Sequence, residues 1–160
     1  MTLSSASLAA PMIRVAAAMV ALIVVGTGCG GRSEGQAFRD DHLRPLERRL
    51  ELRRARVAAT LRVVRSGNRR DAAALREDID ALARSVDGIG ALVPPSSAKR
   101  PFARYVRALR SLVTELRRFT TALRAADGPA VRDLATRVQD VAGAVQTGHD
   151  DLERALVGGS

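Results

Sequence analysis

The sequence is poor in the residues that build bulky cores and reactive sites. It has no tryptophan, only 2% aromatic residues and a single cysteine among 160 residues. A core with so little aromatic bulk must be built mainly from Leu, Val, Ile and Ala, which favours slender, closely packed helices. One cysteine excludes an intrachain disulfide and any cysteine-rich zinc site. The length allows one domain with a modest core.

Lysine is almost absent as well. Only Lys99 accompanies 25 arginines, and the formal net charge is +9. We interpret this ratio partly as the codon bias of a GC-rich genome, so the charge is weaker evidence for nucleic acid than its size suggests. A nucleic-acid site also needs a contiguous basic face, preferably with stacking aromatics. The sequence therefore predicts no nucleic-acid partner.

The first 28 residues have the order of an export signal. A short positive segment, Met12-Ile13-Arg14, precedes an unbroken run of eleven apolar residues from Val15 to Val25. This run is shorter than the roughly 20 apolar residues that span a bilayer. We expect residues 1–28 to be a signal peptide whose true start is Met12. An uncleaved membrane anchor is the alternative.

The segment Val25-Gly26-Thr27-Gly28-Cys29 resembles the lipobox of bacterial lipoproteins, although Gly26 stands where that family has Leu or a similar residue. The resemblance implies that the Cys29 thiol receives a diacylglyceryl group and becomes the new amino terminus, with residues 29–40 as lipidated cysteine and flexible tether. Two acyl chains, at about 0.8 kcal/mol per buried methylene, anchor a protein stably. The expected location is the extracytoplasmic face of the cell membrane, with the membrane and an envelope protein as partners.

Four segments of the remaining chain have the three-and-four spacing of apolar residues that marks one face of a helix: about 41–66, 69–87, 101–126 and 129–157. Ser66-Gly67-Asn68 and Asp127-Gly128 are short enough only for reversals between antiparallel neighbours. The stretch 88–100 is a longer crossover. The sequence thus predicts an all-α, up-down-up-down four-helix bundle over residues 41–160, built from two helical hairpins.

Charge supports this arrangement independently. The net charge is +7 over residues 39–70, −3 over 71–87, +7 over 99–124 and −2 over 129–160. In a square bundle visited in order, every basic helix then lies beside two acidic ones. The positive charge falls on opposite corners of the bundle instead of merging into one groove.

The chain has few residues suited to chemistry. It lacks the inward Glu-x-x-His pairs of di-iron bundles and any glycine-flanked serine elbow, so we predict no catalytic residues, no cofactor and no metal centre. His149 and Glu153, four residues apart on the last helix, are the candidates for a surface metal site, and a solvent-facing histidine is the alternative. His42 is expected to be offset from His149 by roughly 10 Å along the bundle.

One charged residue, Arg53, interrupts the apolar face of the first helix. It either extends to the surface or marks a polar pocket inside the bundle. Taken together, the sequence predicts a membrane-anchored, non-catalytic helical scaffold or accessory interaction module. The alternative is a solute- or metal-binding bundle of the cell envelope, with its site near Arg53 or at His149 and Glu153.

Overall fold

The computed structural model describes residues 32–65 and 68–158, and within these ranges the chain is helical without strands. The first helix, α1, runs through three consecutive pieces, Glu34–Ala37, the π-helical Phe38–Leu43 and Arg44–Val63; it is followed by α2 (Arg69–Gly90), a 3₁₀ turn (Ser96–Ala98), α3 (Lys99–Ala125) and α4 (Gly128–Val157). The predicted all-α four-helix bundle is confirmed. In the described part of the chain no helix combines the length and the apolar character needed to cross a bilayer. The predicted signal peptide and Cys29 lie outside the described residues.

The first helix begins earlier than its apolar pattern predicts. Ser33 Oγ accepts a hydrogen bond from the Gln36 amide, and the Gln36 side chain accepts one from the Ser33 amide, both at 3.3 Å. This reciprocal pair is a capping box, which satisfies two amides at the start of a helix. The expected tether to residue 40 is thus corrected, because the helix begins at Glu34 instead of near Asp41.

The π-helical turn explains how α1 passes Pro45. Proline has no amide hydrogen, and its ring clashes with the carbonyl four residues earlier, here that of Asp41. Immediately before it, the Arg44 amide bonds to the Arg39 carbonyl, five residues back instead of four. The widened turn accommodates the proline without ending the helix, and it lies beside the edge-to-face contact of Phe38 with Phe102, whose ring centroids are 6.0 Å apart.

The helix ends follow local signals. Asn68 caps α2 by accepting from the amides of Arg70 and Asp71, as its position predicts. Asp127 caps α4, and Pro129 lies in the first turn of that helix. The reversal into α4 is made at Ala126, which adopts the left-handed conformation with φ of 55°.

The predicted apolar faces of α2 and α3 are buried without exception. Their members are Ala72, Leu75, Ile79, Leu82 and Val86 on α2 and Phe102, Tyr105, Leu109, Leu112, Leu116, Phe119 and Leu123 on α3. On α4 the face includes Gly148, where an added Cβ would lie 3.2 Å from the Tyr105 Cα. The backbones of α3 and α4 therefore approach closely at this level.

Each seam between neighbouring helices carries an ion pair from a basic to an acidic helix. The pairs are Arg56–Asp78 (2.8 Å) between α1 and α2, Arg117–Asp80 (2.8 Å) between α2 and α3, Arg104–Asp151 (3.6 Å) between α3 and α4, and Arg39–Glu153 (3.4 Å) between α1 and α4. The alternation of charge along the sequence is therefore expressed as contacts across the seams.

Candidate metal centre

Three potential metal ligands meet where α1 faces α4. Glu47 comes from α1, and His149 and Glu153 come from α4; one ligand atom from each lies within 4.8 Å of the others. Glu47 Oε1 is 3.3 Å from His149 Nε2. The side chains of Glu47, His149 and Glu153 are 16%, 24% and 30% exposed, so the cluster lies at the edge of the core with access to solvent.

The helical repeat explains why these residues meet. His149 and Glu153 are four residues apart and therefore share one face of α4. Glu47 lies between Leu43 and Leu50, which are fully buried and seven residues apart on α1. It occupies an inward position of that repeat, so its carboxylate points at the neighbouring helix instead of into solvent.

The spacing of the first two ligands suits a small divalent ion. Zinc is bound by imidazole nitrogen and carboxylate oxygen at roughly 2.0–2.2 Å in a tetrahedral arrangement. Two ligands of such an ion are then separated by about 3.4 Å, and the observed Nε2–Oε1 distance is 3.3 Å. One imidazole with two carboxylates also suits Mn²⁺ or Fe²⁺, and it leaves a position for water or an external ligand.

Glu47 Oε1 is an unusual atom in this cluster. This carboxylate oxygen is buried and has no aligned hydrogen bond within the described ranges, although it faces His149 Nε2. A proton on His149 Nε2 can partner this oxygen, and when that proton is absent the buried acceptor costs roughly 1–3 kcal/mol. A cation bound between Glu47 and His149 would remove that cost.

The surroundings hold His149 in place and set its protonation. The pKa of His149 is raised above its ordinary value, chiefly through its polar contact with Glu47, while partial burial acts in the opposite direction. The ring of Tyr105 meets the imidazole edge to face, with centroids 5.6 Å apart. Asp150 Oδ1 lies 3.7 Å from Nδ1, on the side away from the cluster. Metal-ligating histidines commonly have such a carboxylate behind them.

Tyr105 supports Glu47 from the third helix. Burial, followed by the negative charge of Glu47 and hydrogen bonding to it, raises the pKa of Tyr105 far above its usual range. The phenol therefore stays neutral and keeps its proton at all ordinary pH values. Arg39 plays a related part for Glu153, since its guanidinium is shared between Glu153 (3.4 Å) and Asp40 (3.1 Å).

The structure places the other sequence candidates elsewhere. His42 is exposed and lies beside Phe38, with ring centroids 6.2 Å apart, outside the cluster. Arg53 is exposed, so it marks no interior pocket. The inward arginine is its neighbour Arg54, whose side chain is only 12% exposed. The correction by one residue follows from the heptad repeat of α1. Leu43, Leu50 and Val57 recur every seven residues, and the second inward position, four residues after each of them, falls at residues 47, 54 and 61 and not at residue 53.

Sequence reasoning missed Glu47, although a signal for it exists. When the ends of the antiparallel first and last helices are aligned, His149 is predicted to lie opposite residues 49–50, which are less than one turn from Glu47. The inward face of α1 is predicted from its apolar residues alone. That pattern does not include Glu47, because a glutamate is not apolar. The signal for Glu47 is its position: it lies seven residues before Arg54 and between the buried residues Leu43 and Leu50.

Comparisons with known proteins add nothing to the geometry of this site. No family model matches the chain, and comparison with curated proteins and with solved structures found no similar protein.

Proposed function

We propose that the protein is a metal-binding helical bundle of the cell envelope, which holds a divalent transition-metal ion through Glu47, His149 and Glu153. The observation that carries the proposal is the convergence of these three ligand atoms within 4.8 Å from two different helices. A buried Glu47 oxygen without an aligned hydrogen bond supports it. The ion would join the first helix to the last and thereby stabilise the closed bundle.

Metal titration of the purified full chain tests this proposal. After treatment with a chelator, we expect one equivalent of Zn²⁺ to bind in calorimetry and to raise the melting temperature, because a ligand that binds only the folded state stabilises it. Glu47→Gln and His149→Gln should each weaken binding by about tenfold or more. His42→Gln, which removes an exposed imidazole outside the cluster, is the matched control and should bind like wild type.

Two results would refute a metal centre here. The first is the absence of saturable binding of Zn²⁺ and Mn²⁺ by the wild-type chain. The second is binding that survives in His149→Gln but weakens in His42→Gln, since the ion would then occupy a different place.

We further propose that Cys29 carries a lipid anchor that holds the bundle at the extracytoplasmic face of the membrane. The order of charged, apolar and small residues before Cys29 supports this proposal. Replacing Cys29 with Ala should move the protein from the membrane fraction to the soluble or secreted fraction. Retention in the membrane fraction would favour an uncleaved anchor.

A second candidate function is a non-catalytic scaffold that binds another envelope protein through α1. Its outer face exposes a row of apolar and small side chains, with Leu52 72% and Val63 70% exposed and Ala55 and Ala59 between them. A photo-crosslinker at Leu52 in intact cells should trap one discrete partner. The same crosslinker at Gln139, an exposed polar position on α4, should not. Equal, diffuse labelling from both positions would remove this candidate.

A further inference from the structure

A groove of about 770 Å³ lies between α2 and α3, and arginines border it on both sides. Two come from each helix: Arg69 and Arg76 from α2, Arg117 and Arg124 from α3. The remaining lining consists of small or aliphatic residues and threonines, namely Ala72, Ala73, Ile79, Thr120, Thr121 and Ala125. The groove therefore combines a floor of small and aliphatic residues with a cationic rim.

The four arginines are arranged in two tiers. Within each helix the two arginines are seven residues apart, which corresponds to about 10 Å along the axis at 1.5 Å per residue. Because α2 and α3 are antiparallel, Arg69 lies at the same end of the groove as Arg124, and Arg76 at the same end as Arg117. A ligand in the groove would meet one pair of guanidinium groups and then, about 10 Å further on, a second pair.

Most of these charges are left without a carboxylate. Arg117 pairs with Asp80 at 2.8 Å. Arg69, Arg76 and Arg124 form no ion pair with any residue of the described chain. In the α2–α3 seam the basic-to-acidic pair is Arg117–Asp80, and at the level of Arg69 and Arg124 the described residues supply no such pair. Like charges opposite one another are unfavourable unless an anion lies between them.

The groove has only guanidinium groups to offer as donors. The hydroxyls of Thr120 and Thr121 donate to the carbonyls of Leu116 and Arg117 in their own helix. Guanidinium groups pair with phosphate oxygens through two parallel hydrogen bonds. The donor set thus matches a ligand with several phosphate groups in a row.

We propose that the Arg69–Arg76–Arg117–Arg124 groove binds a linear phosphate polyanion that lies along the α2–α3 seam. This site is separate from the metal cluster and does not depend on it. The lining residues include no aromatic side chain, so nothing in the groove can stack bases, and single-stranded nucleic acid is disfavoured. The groove is also remote from Glu34, at the end of the bundle away from the predicted anchor, which disfavours headgroups of the same membrane.

Binding of a polyphosphate chain to the full-length protein tests the proposal, with affinity measured across a salt series. Four neutralised phosphates should make log K fall with log salt at a slope of about −3, from roughly −0.7 per phosphate. Arg76→Gln with Arg124→Gln should reduce that slope to about −1.5 and weaken binding by at least tenfold at low salt. Arg48→Gln with Arg49→Gln is the matched control, because it removes the same charge from exposed positions on α1, and it should leave the slope unchanged.

Other outcomes would overturn the proposal. Equal losses in both double variants would show a response to net charge alone. Tighter binding of single-stranded DNA of equal charge would assign the groove to nucleic acid. Groove-dependent binding to anionic phospholipid vesicles, with no binding of free polyphosphate, would assign it to a membrane surface. Since all four substituted arginines are exposed, unchanged thermal melts will show that the variants remain folded.

Discussion

Glu47 Oε1 and His149 Nε2 lie 3.3 Å apart on the first and last helices of the bundle. Their contact has two states. With His149 protonated it is an ion pair between α1 and α4, and with His149 neutral it presents a nitrogen and a carboxylate oxygen to a metal ion. Protons and metal therefore compete for the same place, which leads to two predictions of opposite sign.

In the absence of metal, the pair should stabilise the fold most at low pH. The folded-state pKa of His149 is raised above its unfolded value of about 6.5. The stabilisation is therefore complete below about pH 6.5 and is lost as the pH rises through the folded pKa. We expect the difference in free energy of unfolding between wild type and His149→Gln to shrink from pH 5.5 to pH 9, as measured by urea titration with a chelator present. If the difference shrinks equally in a Glu47→Gln background, Glu47 is not the cause.

Metal affinity should show the reverse dependence. Binding of Zn²⁺ to His149 requires the neutral imidazole, so each pH unit below the raised pKa should weaken binding by up to about tenfold. Competition with a chelating fluorophore at pH 6, 7 and 8 measures this. Affinity that is independent of pH across the range would mean that His149 is not a ligand.

Asp78 should contribute more to stability than any exposed acid on the same helix. Its side chain is 11% exposed, accepts a hydrogen bond from Thr60 Oγ1 at 2.6 Å and pairs with Arg56 at 2.8 Å. Asp78→Ala removes a charge-assisted bond and leaves a partly buried hydroxyl without its acceptor, at a cost of about 2–3 kcal/mol. Asp80→Ala, which breaks the more exposed pair with Arg117, should cost less than about 1 kcal/mol. Urea unfolding compares the two, and equal costs would contradict the distinction.

How far the sequence predicts this structure depends on what occupies the inward positions. On α2 and α3 the three-and-four spacing is apolar at every step, with Asp78 and Thr120 buried beside it, so the spacing of residues such as Leu75 and Leu109 identified the buried faces correctly. On α1 two inward positions hold Glu47 and Arg54. A pattern read only from apolar residues cannot assign those positions, and it therefore selected Arg53 and omitted Glu47.

The basic groove escaped sequence analysis for a related reason. The predicted second helix, 69–87, already includes Arg69 and Arg70, but the net charge over 71–87 leaves them out and is negative, with five acids against two arginines. The structure places Arg69 at the start of α2, beside the end of basic α3. The net charge of each helix predicts which neighbouring helices form ion pairs with one another. It does not reveal arginines that occupy only two turns of an otherwise acidic helix. The cluster of arginines becomes visible only when each charge is placed at its own position on the antiparallel helices α2 and α3.

Arg54 provides a test of the corrected register of α1. Its Nε is buried without a partner in the described residues, while its Nη1 bonds to exposed Glu51 at 2.7 Å. Replacing a buried charge with an apolar residue of similar volume is often neutral or stabilising. We expect Arg54→Leu to raise the free energy of unfolding by roughly 1 kcal/mol, whereas Arg53→Leu should change it by less than about 0.5 kcal/mol. The reverse order in urea titrations would restore Arg53 as the inward residue.

Among the glycines of residues 32–65 and 68–158, Gly35 should tolerate substitution least, because it lies against the last turn of α4. A Cβ at Gly35 would collide with the carbonyl oxygen of Leu156, a backbone atom that cannot rotate aside. Gly35→Ala should therefore push the start of α1 away from α4 and cost about 1–3 kcal/mol. Gly143 is the matched control: it is an exposed helical glycine with open space around the same position.

For Gly143→Ala only the gain in helix propensity remains, and we expect it to raise the free energy of unfolding by about 0.5–1 kcal/mol. Hydrogen exchange should show faster exchange of the amides between Phe38 and Leu43 in Gly35→Ala, because that turn loses its docking surface, and no change there in Gly143→Ala. If both substitutions stabilise the protein, the start of α1 does not pack against Leu156 in solution. If Gly35→Ala instead frees this turn, Glu153 of the metal cluster should lose the support of Arg39, and Zn²⁺ binding should weaken.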